Sequence, residues 1–370
     1  MRLKMVVTGG GSGGHIYPAL AIIDSVNRRV SDLDVLYIGT EHGLERDLVS
    51  RRGIPFAAIH ARGFLVRGLG AKIWGVAAAF RGLWEAFVIL RRYRPAVVVG
   101  TGGYVSGPVG LAAVILHIPL VIQEQNVWPG LTNRKLASKA SRVLVPFDEA
   151  QKNFPDGTVL AVVPNPVVIG VRDSKEQVRQ ELGVAPGTVV VLATGGSQGA
   201  KALNQFLLAW LPVLMKHPSW GIFWMTGKRY HQEIQAVLDG MAVDPKRVWV
   251  VEYFYDIQKY LKAADVFFGR SGAMSLADCA AFGLPAVLVP SPNVSEDHQT
   301  KNAQLIVKRE AGYMVSEASL ARQGPELLEK LLTDAPLRAR MSQNALAMHD
   351  PDAERKMVDA ILASARGRGE

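Results

Sequence analysis

Cysteine is nearly missing from this chain. Cys279 stands alone, which excludes an intramolecular disulfide and suits a reducing compartment. Acidic residues are in short supply, 33 against 42 basic ones, and the formal net charge of +9 favours anionic partners: phosphorylated substrates, nucleic acid or an acidic membrane face. No recognisable nucleic-acid motif and no long basic tract accompany that charge, so no nucleic-acid partner is expected. A membrane-length apolar run is also lacking, because Ile73–Leu90 is too short, and too charged at Arg81 and Glu85, to span. Met1–Thr8 reads directly into a strand without a signal-peptide pattern, so the chain is expected to stay inside the cell. There is no nucleophilic serine elbow, Walker loop or kinase signature. Asp297-His298 has no second histidine pair at ligand spacing, so no metal site is expected.

What is present is an ordinary globular composition, 49% hydrophobic and 20% charged, over 370 residues, which is long enough for two domains. Short apolar runs alternate with longer helical stretches, the pattern of doubly wound parallel sheets. Strands are expected at Leu3–Thr8, Asp34–Ile38, Phe56–His60, Ala96–Gly100, Pro119–Gln123 and Arg142–Val145. A second set is expected at Thr188–Thr194, Gly221–Met225, Arg247–Val251, Val266–Phe268 and Ala286–Val289. Between the sets, Val162–Val167 carries Pro164 and Pro166, cannot be helical and reads as a hinge.

Two glycine-rich loops of one design follow the first strand of each set, Thr8–His15 and Thr194–Ala200. At a strand-to-helix junction, small residues let backbone N–H groups and the positive helix end approach an anion. Gly9–Gly14 also satisfies the dinucleotide pattern G-x-G-x-x-G, and Glu41 follows the second strand, so a nicotinamide-dependent oxidoreductase is one reading. His15 at the helix start is either a general base, the positive helix end favouring neutral imidazole, or a capping or substrate-orienting group. Gly100–Pro108 is a further anion loop or a tight turn, and Gln123–Asn126 binds a sugar or peptide or caps a helix. Arg270–Ser275, with Asp278 one turn on, suits an anion and ribose hydroxyls, and the helix opened by Glu296–Asn302 suits sugar hydroxyls.

The segment from Ala61 to Pro95 is basic and apolar together. Ile73, Ala77, Phe80, Trp84, Phe87 and Leu90 form a helical stripe expected to face the core. The preceding loop and helix start, with Phe64, Leu65, Leu69 and Trp74 beside Arg67 and Lys72, is expected to meet an anionic membrane surface.

Taken together, Gly13-Gly14-His15 with Pro18, Thr101–Pro108, Glu124-Gln125-Asn126 with Gly130–Asn133, Gly195–Ala200, Arg270–Ala273, Gly283–Ala286 and Gln299 with Asn302-Ala303 resemble glycosyltransferase family 28 over essentially the whole chain. That family includes the UDP-N-acetylglucosamine transferases that complete the lipid-linked disaccharide precursor of bacterial peptidoglycan. The resemblance implies an α/β glycosyltransferase B fold, two Rossmann-like doubly wound parallel-sheet domains facing a central cleft. It divides the chain into 1–163 for acceptor and membrane, 164–345 for donor, and 346–370 as a helix packing back on the first domain. No cofactor is implied. The activity implied is inverting transfer of N-acetylglucosamine from UDP-N-acetylglucosamine to the 4-hydroxyl of polyprenyl-diphosphate-linked N-acetylmuramoyl-pentapeptide, at the cytoplasmic face of the bacterial plasma membrane. His15 would be the base. Ser12, Gly13, Gly14, Asn126, Ser197, Phe254, Arg270, Ala273, Met274, Ser275, Leu276, Ala277, Asp278 and Gln299 would bind donor, and His15, Gly102, Gly103 and Tyr104 acceptor.

Three residues depart from the family pattern: Val168 for arginine, Asp278 for glutamate and Gln123 for histidine. A transferase using another lipid acceptor and a non-catalytic UDP-sugar sensor are the other readings, beside the oxidoreductase.

Overall fold

The computed structural model describes residues 2–61, 69–167 and 169–367. Seven strands, β1 (Leu3–Thr8), β2 (Leu33–Thr40), β3 (Phe56–Ile59), β4 (Val97–Gly100), β5 (Leu120–Gln123), β6 (Arg142–Val145) and β7 (Leu160–Val162), form one parallel sheet in the order β3-β2-β1-β4-β5-β6-β7. Six more, β8 (Val189–Thr194), β9 (Trp220–Met225), β10 (Val248–Val251), β11 (Val266–Gly269), β12 (Ala286–Leu288) and β13 (Gly312–Met314), form a second in the order β10-β9-β8-β11-β12-β13. Central strands such as Val97–Gly100 and Val266–Gly269 are buried at every residue, which is why they read as unbroken apolar runs rather than alternating ones.

Each sheet has a switch point, between β1 and β4 and between β8 and β11, where the winding reverses and open α/β sheets bind ligands at their strand ends. The loops leaving those four strands are the glycine loops Thr8–His15 and Thr194–Ala200 and the segments after Gly100 and Gly269. Edge strands β7 and β13 went unread in the sequence. Each has three residues, of which only Gly312 is buried, too short for a periodic signal.

The chain divides into two compact units, Met1–Pro166 with Pro351–Glu370, and Val167–Asp350. The divisions expected after residues 163 and 345 are therefore shifted by a few positions. Val163 is buried in the first core and Asn165 is bonded into that unit, so the expected hinge Val162–Val167 is anchored as far as Asn165. Met348 packs on the second core. The helix Ala353–Arg366 completes the first unit, burying Met357, Val358 and Ile361 beside Ile16 and Leu20 and pairing Arg29 with Asp359 at 2.7 Å.

The helix Leu69–Tyr93 corrects one expectation. Ala86 and Leu90 are fully buried, but Phe80 is 69% and Trp84 67% exposed, with Val88 outside as well. At 3.6 residues per turn, Phe80 and Trp84 lie roughly 80–120° round the helix from Leu90, so a stripe drawn through all of them leaves the core face. Phe64, Leu65 and Arg67 lie outside the described residues, as do the side chains of Leu69, Lys72 and Trp74 and all of Val168.

Candidate active site

In the first unit the glycine loop is folded onto the loop after β4. The Gly10 N–H donates to the Gly102 carbonyl at 3.3 Å, and a Cβ on Gly103, which has φ +82°, would fall on the Gly10 carbonyl. Only glycine permits that approach. Underneath lies Glu45, fully buried, accepting from the Thr40 N–H at 3.0 Å, the Thr40 hydroxyl at 2.6 Å and the Gly11 N–H at 3.5 Å. Tyr37 donates its hydroxyl to the Gly9 carbonyl at 2.6 Å, and burial, with the Glu45 charge nearby, pushes its phenol well above the ordinary range. Sequence reasoning passed over both supports. Neither lies in a motif; the only hint at Glu45 was an acid opening a helix two residues after Gly43.

Beyond this platform the helix Gly13–Arg29 starts at Ser12 with no side-chain cap and no acid in its first turn. Its first amides remain available to a ligand. His15 lies against Gly102, with Nδ1 at 3.0 Å from the Thr101 carbonyl and 3.2 Å from Gln125 Oε1. A carbonyl only accepts, so Nδ1 carries the proton and the Nε2 lone pair is the basic site. The Tyr104 ring covers Gly11. Glu124, also buried, gathers the Gln125, Asn126 and Gly130 N–H groups and the Asn126 and Asn133 side-chain amides, all within 3.1 Å. The Asn126 side chain, expected at the donor sugar, thus donates to Glu124.

In the second unit the Thr194–Ala200 loop is barer. Thr194 Oγ1 accepts from the Gly196 N–H at 3.0 Å, Gly199 donates to the Gly196 carbonyl at 2.8 Å, and Ser197 is exposed. Helices Lys201–Lys216 and Ala273–Phe282 both begin without a side-chain cap or an acid in the first turn. Two helices away from the switch points are capped by side chains, Ser174 with a complete capping box and Asp334, whereas others there, such as His231–Asp239 and Ala353–Arg366, start uncapped but carry an acid in the first turn.

After β11, Ser271 is fully buried and donates to the Gln299 carbonyl at 2.8 Å, while Gln299 Oε1 accepts from the Ser291 N–H at 2.9 Å. The Gln299 Nε2 group has no partner among the described residues. Just before it, Glu296 and Asp297 hold φ of 55° and 52°, two consecutive non-glycine residues in the left-handed region. Such strain costs on the order of 1–3 kcal/mol per residue and gathers at ligand sites. Asp278 has no partner among the described residues either, and burial raises its carboxyl to about 7. Ala273, Met274, Ser275 and Ala277 are half-buried around the same helix start, and Leu276 is in the core.

Of two further expected donor groups, Arg270 is engaged elsewhere, and Phe254 is expected to act through its backbone. Arg270 donates to the Val289 and Pro290 carbonyls at 3.0 and 3.1 Å and pairs with Glu317, so its charge is already met. Phe254 is buried, its ring centroid 4.0 Å from that of Tyr260, and its N–H faces Met225 Sδ at 3.4 Å, an acceptor weak enough for a ligand carbonyl to replace. The acid that dinucleotide binding requires, Glu41, is half-exposed and ion-paired to Arg46. No group of acids, histidines and cysteine suited to a metal ion occurs among the described residues.

The glycosyltransferase family 28 N-terminal domain matches residues 5–145, and the family 28 C-terminal domain matches residues 190–357. This chain is a family 28 glycosyltransferase. A curated relative from Desulforudis audaxviator is 41% identical, covering 99% of this chain and 100% of its own length. Another, from Halalkalibacterium halodurans, is 39% identical over 96% of this chain and 98% of its own. Both are named UDP-N-acetylglucosamine–N-acetylmuramyl-(pentapeptide) pyrophosphoryl-undecaprenol N-acetylglucosamine transferase. Among solved structures, Acinetobacter baumannii MurG superposes with a TM-score of 0.80 at 29% identity, over 98% of this chain and 100% of that one. The calicheamicin glycosyltransferase CalG4 shares the fold at a TM-score of 0.70 and 17% identity, over 100% and 99% of the two chains. The family 28 enzyme therefore has the glycosyltransferase B architecture expected from its motifs.

Proposed function

We propose that this chain transfers N-acetylglucosamine from UDP-N-acetylglucosamine to the 4-hydroxyl of N-acetylmuramoyl-pentapeptide carried on undecaprenyl diphosphate. The substrates are those in the names of its full-length relatives; the chemistry follows from its own residues. The observation that carries the reading is an uncapped helix start at the switch point of each sheet, with a histidine whose Nδ1 meets a main-chain carbonyl at only one of them.

The acceptor belongs to the first unit, where His15 Nε2 takes the proton from the 4-hydroxyl as that oxygen attacks the anomeric carbon. The new C–O bond forms on the face opposite UDP, the bond from the anomeric carbon to the β-phosphate oxygen breaks, and the electron pair leaves with UDP. The configuration inverts. The donor belongs to the second unit. Amides of Gly195–Lys201 and of the Ala273 helix start hold the diphosphate and stabilise the charge that develops on it, the work a metal does in other transferases. The Asp278 carboxylate accepts from ribose hydroxyls, and Gln299 Nε2 donates to a sugar hydroxyl.

The membrane partner is an anionic lipid surface. Phe80, Trp84 and Val88 are exposed at successive turns of the helix Leu69–Tyr93, flanked by exposed Arg81, Arg91 and Arg92. Apolar side chains ringed by arginine suit the headgroup region, and no described helix is long and apolar enough to cross a membrane. The chain then acts as a peripheral enzyme at the cytoplasmic face. Transfer of radiolabelled N-acetylglucosamine from its UDP donor to a short-chain lipid acceptor tests the whole reading. No labelled disaccharide-lipid product, with UDP binding intact, would overturn it in favour of a sensor.

A further inference from the structure

The catalytic reading uses His15 but leaves an unusual run of buried amides behind it unexplained. Gln123 is 3%, Gln125 2% and Asn165 6% exposed, and their side chains are bonded head to tail. The orientation of each is tied to the next, and that of Gln125 to two main-chain carbonyls as well. Asn165 Nδ2 donates to the Gln125 main-chain carbonyl at 2.8 Å, which can only accept. The other end of Asn165 is therefore its oxygen, and it accepts from Gln123 Nε2 at 2.9 Å. That turns Gln123 Oε1 towards Gln125 Nε2, which donates to it at 2.5 Å and also faces the Thr101 and Gln123 main-chain carbonyls at 3.0 and 2.9 Å. What Gln125 then presents to the histidine is Oε1, at 3.2 Å from Nδ1.

A reversed Gln125 would present an NH2 group to Nδ1 and favour the tautomer with its proton on Nε2, where no hydroxyl proton could be accepted. The Thr101 carbonyl calls for a proton on Nδ1, and a Gln125 held with Oε1 inward adds a second acceptor and keeps a competing donor away from that nitrogen. We infer that Gln123 and Asn165 are positioning residues that act through Gln125 to keep the His15 proton on Nδ1 and the lone pair on Nε2. Neither touches His15. All three amides are uncharged across the working pH range, so none of them titrates in competition with the histidine. The chain ends at Asn165, three residues after β7, which gives the buried polar residue between Pro164 and Pro166 a purpose that a bare hinge would lack.

This inference rests on His15 being the transferase base, and its test is separable from that reading. Nitrogen-15 spectra of histidine-labelled full-length protein report directly which ring nitrogen bears the proton, without turnover. The wild type is expected to show His15 protonated on Nδ1 alone; a proton on Nε2 would overturn the inference even if transfer is normal. In Gln123→Met the signals are expected to move towards a mixture of tautomers. The kcat of transfer should fall on the order of tenfold, a fraction of what general-base catalysis supplies, with UDP affinity unchanged. An unaltered tautomer in a folded Gln123→Met protein would leave Gln123 a packing residue and refute the proposal. Should that variant not fold, Asn165→Ala is expected to give the same spectral shift, and its absence would refute the proposal equally. Absence of wild-type transfer with the expected spectrum would instead overturn the transferase reading.

Discussion

The two glycine loops share a sequence design and a place at the switch point of a parallel sheet, yet they are built differently. The first is braced from below: Glu45 holds Thr40 and Gly11, Tyr37 holds Gly9, and Gly10 is bonded to Gly102. The second depends on its own turn, with Thr194 and Gly196 accepting from Gly196 and Gly199, and its tip at Ser197 is exposed. The first contains a histidine with an oriented proton, the second no titratable side chain before Lys201. A base must be held in one orientation, whereas a phosphate needs amides that are unspent. Similar motifs can therefore carry different chemistry, according to what lies beneath them.

The largest effect that separates the loops should come from His15→Ala. We expect kcat to drop on the order of 10²–10⁴-fold, the usual contribution of a general base, with UDP affinity unchanged by calorimetry. Unchanged turnover would remove the base from the first loop. The complementary change, Gly199→Ala, puts a Cβ on the Thr226 carbonyl at φ +74°. The strain, on the order of 1–3 kcal/mol, should weaken UDP binding about tenfold or more. Equal affinity for UDP would show that this loop does not hold the diphosphate.

Asp278 sharpens the contrast through pH. Its carboxyl sits near 7 in the folded protein, so it is largely protonated below that value and ionised above it, the state that the proposed ribose contact requires. UDP affinity should therefore rise as pH increases through about 7, and Asp278→Asn should flatten that dependence. The stability effect has the opposite sign. A carboxyl raised above its unfolded value stabilises the fold only while protonated, so Asp278 contributes less as pH climbs from about 4 to above 7. Asp278→Asn should raise the Tm more at pH 8 than at pH 4, measured by calorimetry without ligand. The smallest expected change lies away from both loops: Phe80→Asp with Trp84→Asp should lower binding to anionic vesicles several-fold while leaving UDP affinity alone. Full retention on vesicles would move the lipid-facing surface elsewhere.

Much of this was legible in the residues. Unbroken apolar runs such as Val97–Val99 mark buried parallel strands, and the glycines after them mark the switch points. The family motifs lay in the same loops. What could not be read was whatever depends on which neighbour covers a residue. Helical spacing groups Phe80 and Trp84 with Leu90, but only the packed sheet shows that the core takes Ala86 and Leu90 and leaves the other two outside. Glu45 looks like any acid near a helix start until the loop folds over it, while Glu41, which fits a dinucleotide pattern, turns out to face solvent and Arg46. Asn165, between two prolines, reads as linker; its bonds to Gln123 and Gln125 span about forty residues of sequence and have no local trace.

Amide hydrogen exchange with and without UDP tests the division of labour most directly. Added UDP should slow exchange at Gly195–Lys201 and at the start of the helix Ala273–Phe282, and leave Gly9–His15 as it was. Protection confined to Gly9–His15 would contradict the account.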